Sequence, residues 1–262
     1  KPEGNGPFPV ILIGSGQGVD GMGKIERSMA RFRELMGRLV DRGYVAAFVS
    51  YRNEVPDLYN EIEQAYLLDD TVSGGNRTLR SAAALDSDDH VSIIEHAKSL
   101  PYTNPDAIGA IGSSHSGEII MKTLTRGDNY LAAAVPAEAA VTEYLAVDRD
   151  NAPRDEAGTG LELLDTATVK RLADKDRAMA RLREVGTPLL ILGRDEDHLQ
   201  GLFRLLYEWG EEAGANVIWQ SFDHPVHGYA LMGRAADETF ESDPIEEQVF
   251  ELYMEFLDEH LK

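Results

Sequence analysis

Three sets of side chains in this sequence could do chemistry together. Ser114 stands at the apex of Gly112-Ser-Ser-His-Ser-Gly117, three acids form Asp195-Glu-Asp197, and two histidines occur in Asp223-His-Pro-Val-His-Gly-Tyr229. A serine hydroxyl becomes a nucleophile when an imidazole within hydrogen-bond reach takes its proton. An acid on the far side of the ring then fixes the tautomer and stabilises the charge that forms. The small residues around Ser114 allow a tight turn that holds the serine strained, with its hydroxyl exposed. Metal binding is the competing chemistry, because His224, His227, Asp195, Asp197 and His198 are all ligand types. The two histidines lie three apart in a proline-containing loop rather than on one helical face, and no His-Glu-x-x-His pattern occurs. No metal is therefore expected.

These sets need elements that deliver them to one place. The apolar run at residues 7–13, which shows no alternation, reads as a strand buried on both faces of a parallel sheet, and 44–52, 107–113, 130–136, 187–193 and 216–222 read as its further strands. Helical spacing appears between them. In residues 24–42, Ile25, Met29, Phe32, Met36, Leu39 and Val40 make one apolar face. Further helices are expected at 88–100, from 115 onward, at 200–213 and at 243–262. Ser114, the three acids and the histidines each follow directly after a predicted strand, at the sheet edge where open α/β folds build their sites. Residues 53–80 are polar and read as loop, with a helix over 61–68. His90 and His96 are six apart on one helix and face different ways, as packed or solvated side chains do.

After the first strand comes Gly14-Ser-Gly-Gln-Gly-Val-Asp-Gly21. Such a loop brings backbone N–H groups close to a ligand, for phosphate cradling or for an oxyanion hole. Gly16 to Gly21 matches G-x-G-x-x-G, but the dinucleotide reading wants an acid about 20 residues on. The next strand instead ends in Val49-Ser-Tyr-Arg52. An NADP-binding oxidoreductase, resting on these glycines and Arg52, is the weaker alternative.

Several motifs resemble those of the α/β-hydrolase family. Gly112-Ser-Ser-His-Ser116 is similar to its G-x-S-x-G nucleophile elbow, with Ser116 where the last glycine is usual and Gly117 next to it. Arg42-Gly-Tyr44 with Ser50-Tyr-Arg52 resembles its "RGY…DYR" signature, and His227-Gly-Tyr229 its catalytic-histidine loop. Ile13-Gly-Ser-Gly16 looks like its HG-x-G segment, and residues 88–120 resemble dienelactone hydrolases and prolyl-oligopeptidase-like enzymes. The resemblance implies an α/β-hydrolase fold: a mostly parallel sheet of about six strands with helices on both faces. That is the family's core without its first two strands, so two strands are expected upstream of Lys1. It also implies Ser114 as nucleophile, His227 rather than His224 as base, and Asp197 as acid, with Asp195 and Glu196 as neighbouring candidates. The oxyanion hole falls to the N–H groups of Ser15, with Gly16 beside it, and of His115. The implied activity is cleavage of a small carboxylic ester, with a peptidase or a non-catalytic ligand-binding domain as alternatives, and no cofactor.

Composition agrees with one domain, 1–262, in which residues 137–186 are too long for an ordinary connection and read as a cap or lid insertion. The formal charge of −21 disfavours nucleic acid and anionic membrane surfaces as partners. With no cysteine, thiolate chemistry and disulfides are excluded. Apolar runs are strand-sized, so no transmembrane helix is expected. No secretory-type segment stands in these residues, and cytoplasmic and secreted locations both stay open. Oligomeric state is not readable.

Overall fold

Strand β1, Phe8–Gly14, carries its apolar run between two layers: Val10 and Leu12 enter one core cluster, Ile11 and Ile13 the other. A computed structural model of the chain describes residues 1–16, 22–51, 83–126, 130–158, 160–235 and 237–262. Helices α1 (Met22–Arg31) and α2 (Arg33–Asp41) lead to β2 (Val45–Phe48). Next come α3 (Ala83–Ser99), β3 (Thr103–Ser113), α4 (His115–Leu124) and β4 (Ala133–Ala137). After α5 (Thr166–Leu172) and α6 (Lys175–Leu182) follow β5 (Leu189–Arg194), α7 (Gln200–Ala213), β6 (Val217–Phe222) and α8 (Pro244–Leu261).

Among the described residues six strands form one sheet, all parallel, in the order β2-β1-β3-β4-β5-β6. Helices α3, α4 and α7 pack on one face, α2 and α8 on the other. Because the chain steps from β1 outward to β2 and then returns to β3 on the opposite side, the strand order reverses between β1 and β3. The two strands stay paired as far as Gly14 and Gly112, and the chain leaves their carboxyl ends in opposite directions, the usual place for a ligand in an open α/β sheet. Asp243 starts α8 by accepting from the N–H groups of Ile245 and Glu246, with Pro244 in the first turn. Gly214, at φ 81°, closes α7 in the left-handed region.

Boundaries shift from the expectations where packing overrides periodicity. The single helix expected over 24–42 is two, divided at Phe32, whose buried ring stacks on Phe48 at 5.5 Å. The second strand is limited to Val45–Phe48, and the third begins earlier, at Thr103. Residues 138–165 are mostly irregular, with isolated bridges pairing Val147 with Ala173 and Arg154 with Leu161. Their apolar side chains, Val141, Tyr144, Leu145 and Leu163 among them, join the same core cluster as α7. The helix expected over 61–68 lies outside the described residues, as do residues 17–21 and Arg52. Among the described residues no helix is long and apolar enough to cross a membrane.

Candidate active site

Ser114 occupies the sharp corner between β3 and α4, with φ 55° and ψ −117°. Such a backbone is costly for a residue with a side chain and persists only where its surroundings fix it. Here the N–H of Ser114 donates to Ala137 O at 3.0 Å, and its own carbonyl accepts from Ala140 N at 3.0 Å. The glycines on either side allow the helix to approach the sheet. A Cβ at Gly112 would lie 2.7 Å from Ile120 Cδ1, and one at Gly117 would lie 2.6 Å from Ala139 Cβ. Ser116 replaces the usual glycine without loss of fit, because the residue facing it at the end of β1 is itself a glycine. A Cβ on Gly14 would stand 2.6 Å from both Ser116 Cβ and Oγ, and the Ser116 hydroxyl donates to the carbonyl of Ser15.

The loop after β1 therefore passes close to the serine. A Cβ on Gly16 would be 3.5 Å from Ser114 Cβ and 3.8 Å from its Oγ. His115 begins α4, where N–H groups lack intrahelical partners. Its Nε2 meets Asp86 Oδ2 at 2.7 Å, and that carboxylate, on α3, is fully buried. This pair is long-range, and nothing in the spacing of residues 86 and 115 announces it.

Across the sheet edge, His227 Nδ1 donates to Asp197 Oδ2 at 2.8 Å. Asp197 is fully buried after β5, and Leu199 N donates to its Oδ1 at 2.8 Å. Arg194 adds two donors to Oδ2, Nε at 2.9 Å and Nη2 at 2.7 Å, while its Nη1 reaches His224 O at 3.1 Å. Burial alone would raise the Asp197 pKa; hydrogen bonds from His198, His227 and Leu199 overcome it and hold the carboxyl well below its ordinary range. For His227, burial lowers the pKa, but the bond to Asp197 and the charge of Glu138 prevail and raise it.

The other two acids are engaged elsewhere. Asp195 accepts from Ser221 Oγ at 2.5 Å, and Glu196 is exposed. His224 is buried, stacked on Tyr229 at 4.9 Å, with its Nδ1 accepting from Val226 N at 3.1 Å. His90 is buried against Thr123, and His96 is exposed. Asp197 and His227 thus come together, and Ser114 lies at the same sheet edge. A Cβ on Gly228, next to His227, would be 3.4 Å from Ser113 Oγ, beside Ser114. Ser114 Oγ and His227 make no hydrogen bond to each other.

One residue of the cluster is not evident in the sequence. Glu138, the residue after β4, is fully buried at φ 45°. Its Oε2 accepts from Gly228 N at 2.6 Å, and its Oε1 lies 3.5 Å from both His227 Nδ1 and Arg194 Nε. Burial pushes its pKa up to about 7, against the pull of His227 and the Gly228 N–H. The available signal is positional: like Ser114 and Asp195, it follows a buried strand. Glu138, Asp197 and His227 bring ligand atoms within 4.8 Å of one another. The cation among them is Arg194, whose guanidinium a metal ion would have to displace.

No protein-family profile and no curated protein matches the sequence. Solved structures match over nearly all of it. The acylaminoacyl peptidase of Pyrococcus horikoshii is similar with a TM-score of 0.60 at 22% identity, over 100% of this chain and 39% of that one. A dienelactone hydrolase from Klebsiella pneumoniae has a TM-score of 0.58 at 12% identity, over 98% of this chain and 89% of that one. For the Est2 esterase of Thermogutta terrifontis the values are 0.57 and 19%, over 97% and 84%. This chain has the α/β-hydrolase fold, and it spans 39% of the peptidase's length.

Proposed function

We propose that this chain is a serine hydrolase that cleaves carboxylic esters through an acyl-enzyme. The observation that carries this is the His227–Asp197 hydrogen bond of 2.8 Å at the sheet edge where Ser114 sits strained. Ser114 Oγ attacks the ester carbonyl carbon and gives its proton to His227 Nε2. Asp197 accepts the Nδ1 proton of the same ring, which fixes the tautomer that leaves Nε2 free and steadies the imidazolium. The carbonyl oxygen, now negative, faces the N–H groups of Ser15 and His115. Each such donor is worth about 10²–10³ in kcat where it has been removed in other enzymes. His227 returns its proton to the leaving alkoxide, and the acyl group stays on Ser114. Water then attacks with His227 again as base, and the free acid departs.

A peptidase or amidase of the prolyl-oligopeptidase-like type is the second reading, favoured by the similarity to an acylaminoacyl peptidase across the whole chain. Both readings use the same three residues and differ in the leaving group. Turnover of p-nitrophenyl acetate and butyrate, beside p-nitroanilides of N-acetyl amino acids, separates them. Ester turnover that Ser114→Ala abolishes supports the proposal. Anilide cleavage at comparable kcat/KM moves the peptidase reading to first place. No turnover of either, with no fluorophosphonate labelling, leaves a ligand-binding domain.

A further inference from the structure

We infer that Glu138 is a second carboxylate for His227, a positioning residue that shares with Asp197 the task of holding the imidazole and can partly replace it. This rests on the triad reading above. Three features independent of that reading place Glu138 in the role. Its backbone is held at positive φ directly after β4, as Ser114 is after β3, so its side chain is delivered to the site by the sheet edge. Oε2 is anchored by the Gly228 N–H at 2.6 Å, the residue next to the histidine. Oε1 is buried with no hydrogen bond of its own and lies 3.5 Å from His227 Nδ1.

A buried carboxylate oxygen without a donor is costly unless something compensates it. The compensation here is a proton or a neighbouring cation. The titratable and charged groups facing Glu138 are Asp197 and Arg194 from the end of β5 and the loop after it, and His227 and Tyr229 from the loop after β6; His227 is faced in addition by His198, ring to ring at 5.8 Å. Asp197 already has Arg194, Leu199 N and His227 as donors. Glu138 has less, so a positive charge on His227 gains more from Glu138 than the longer distance alone suggests. The Nδ1 proton thus has two carboxylate oxygens near it, Asp197 Oδ2 at 2.8 Å and Glu138 Oε1 at 3.5 Å.

The test uses Glu138→Gln, which retains an acceptor for the Gly228 N–H and removes the negative charge together with the acceptor facing His227 Nδ1, alongside Asp197→Asn and the double variant. Removing a negative charge beside His227 must lower the histidine's pKa. The expected results are a midpoint at lower pH for His227 by NMR, read in a Ser114→Ala background, and a matching shift in the acid limb of kcat/KM. In kcat, the double variant should fall about 10-fold or more below the product of the two single losses, because each carboxylate covers for the other. A His227 midpoint that does not move in Glu138→Gln overturns the inference, even if the rate falls, since a rate loss alone is what a disturbed loop would give. The titration needs no turnover, so it still decides the point if the ester reading fails.

Discussion

The hydroxyl of Ser116 donates a hydrogen bond to the main-chain carbonyl of Ser15, tying the helix that carries Ser114 to the loop after β1. The serine fits only because residue 14 has no side chain. Ser116→Ala should therefore keep its melting temperature to within the effect of about 1 kcal/mol, the usual worth of one hydrogen bond. Its kcat should fall about 10-fold, less than the loss of an oxyanion donor itself. Gly14→Ala should be far more destabilising, and adding Ser116→Gly should restore much of its melting temperature. Purely additive losses in the pair would show that the two residues do not share this space.

Among the three acids, only Asp197 reaches His227. Asp197→Asn should lower kcat by about 10², short of the roughly 10⁴ that the same change costs in a serine protease triad, because Glu138 remains. Asp195→Asn and Glu196→Gln should stay within a few-fold of wild type. Steady-state kinetics of the three variants check this, and a crippled Glu196→Gln would refute it. EDTA should change none of these rates.

Glu138 gives stability a pH dependence of its own. Its pKa is about 7 in the folded chain against an ordinary 4.5, so the folded state binds the proton more tightly. The resulting stabilisation is complete below 4.5 and is lost as pH rises through 7. Glu138→Gln should gain in melting temperature relative to wild type between pH 5 and pH 8. Parallel curves over that range would contradict the raised pKa.

His90 acts in the opposite direction. Buried against Thr123, it titrates near 4 because burial disfavours its charged form, against an ordinary 6.5. Stability is then present above 6.5 and lost as pH falls toward 4, on the order of 3 kcal/mol. His90→Gln should flatten the acid side of a denaturation series. An unchanged acid slope would place the acid sensitivity elsewhere.

Much of this layout is legible in the sequence because the central strands, buried on both faces, read as apolar runs, and the loops after them and after the half-exposed edge strand β6 land at the site edge. That logic locates Ser114, the acids and His227. It does not reach Glu138, since Ala137-Glu-Ala-Ala140 reads as the start of an insertion rather than the end of β4. Choosing Asp197 among three adjacent acids needs the turn itself, where left-handed Glu196 points one acid outward and the next inward. The Asp86–His115 pair joins consecutive helices across 29 residues and an intervening strand, which no local pattern encodes. The break at Phe32 reflects stacking on Phe48 of β2 on the same face of the sheet, while periodicity runs straight through it.

Labelling the protein with a fluorophosphonate and mapping the modified peptide by mass spectrometry decides whether Ser114 is the nucleophile. Strain at the corner and the neighbouring base should make one hydroxyl reactive. The predicted result is one adduct per chain on Ser114, absent in Ser114→Ala and much slowed in His227→Gln. An adduct on Ser113 or Ser116, or labelling that survives Ser114→Ala, would contradict it.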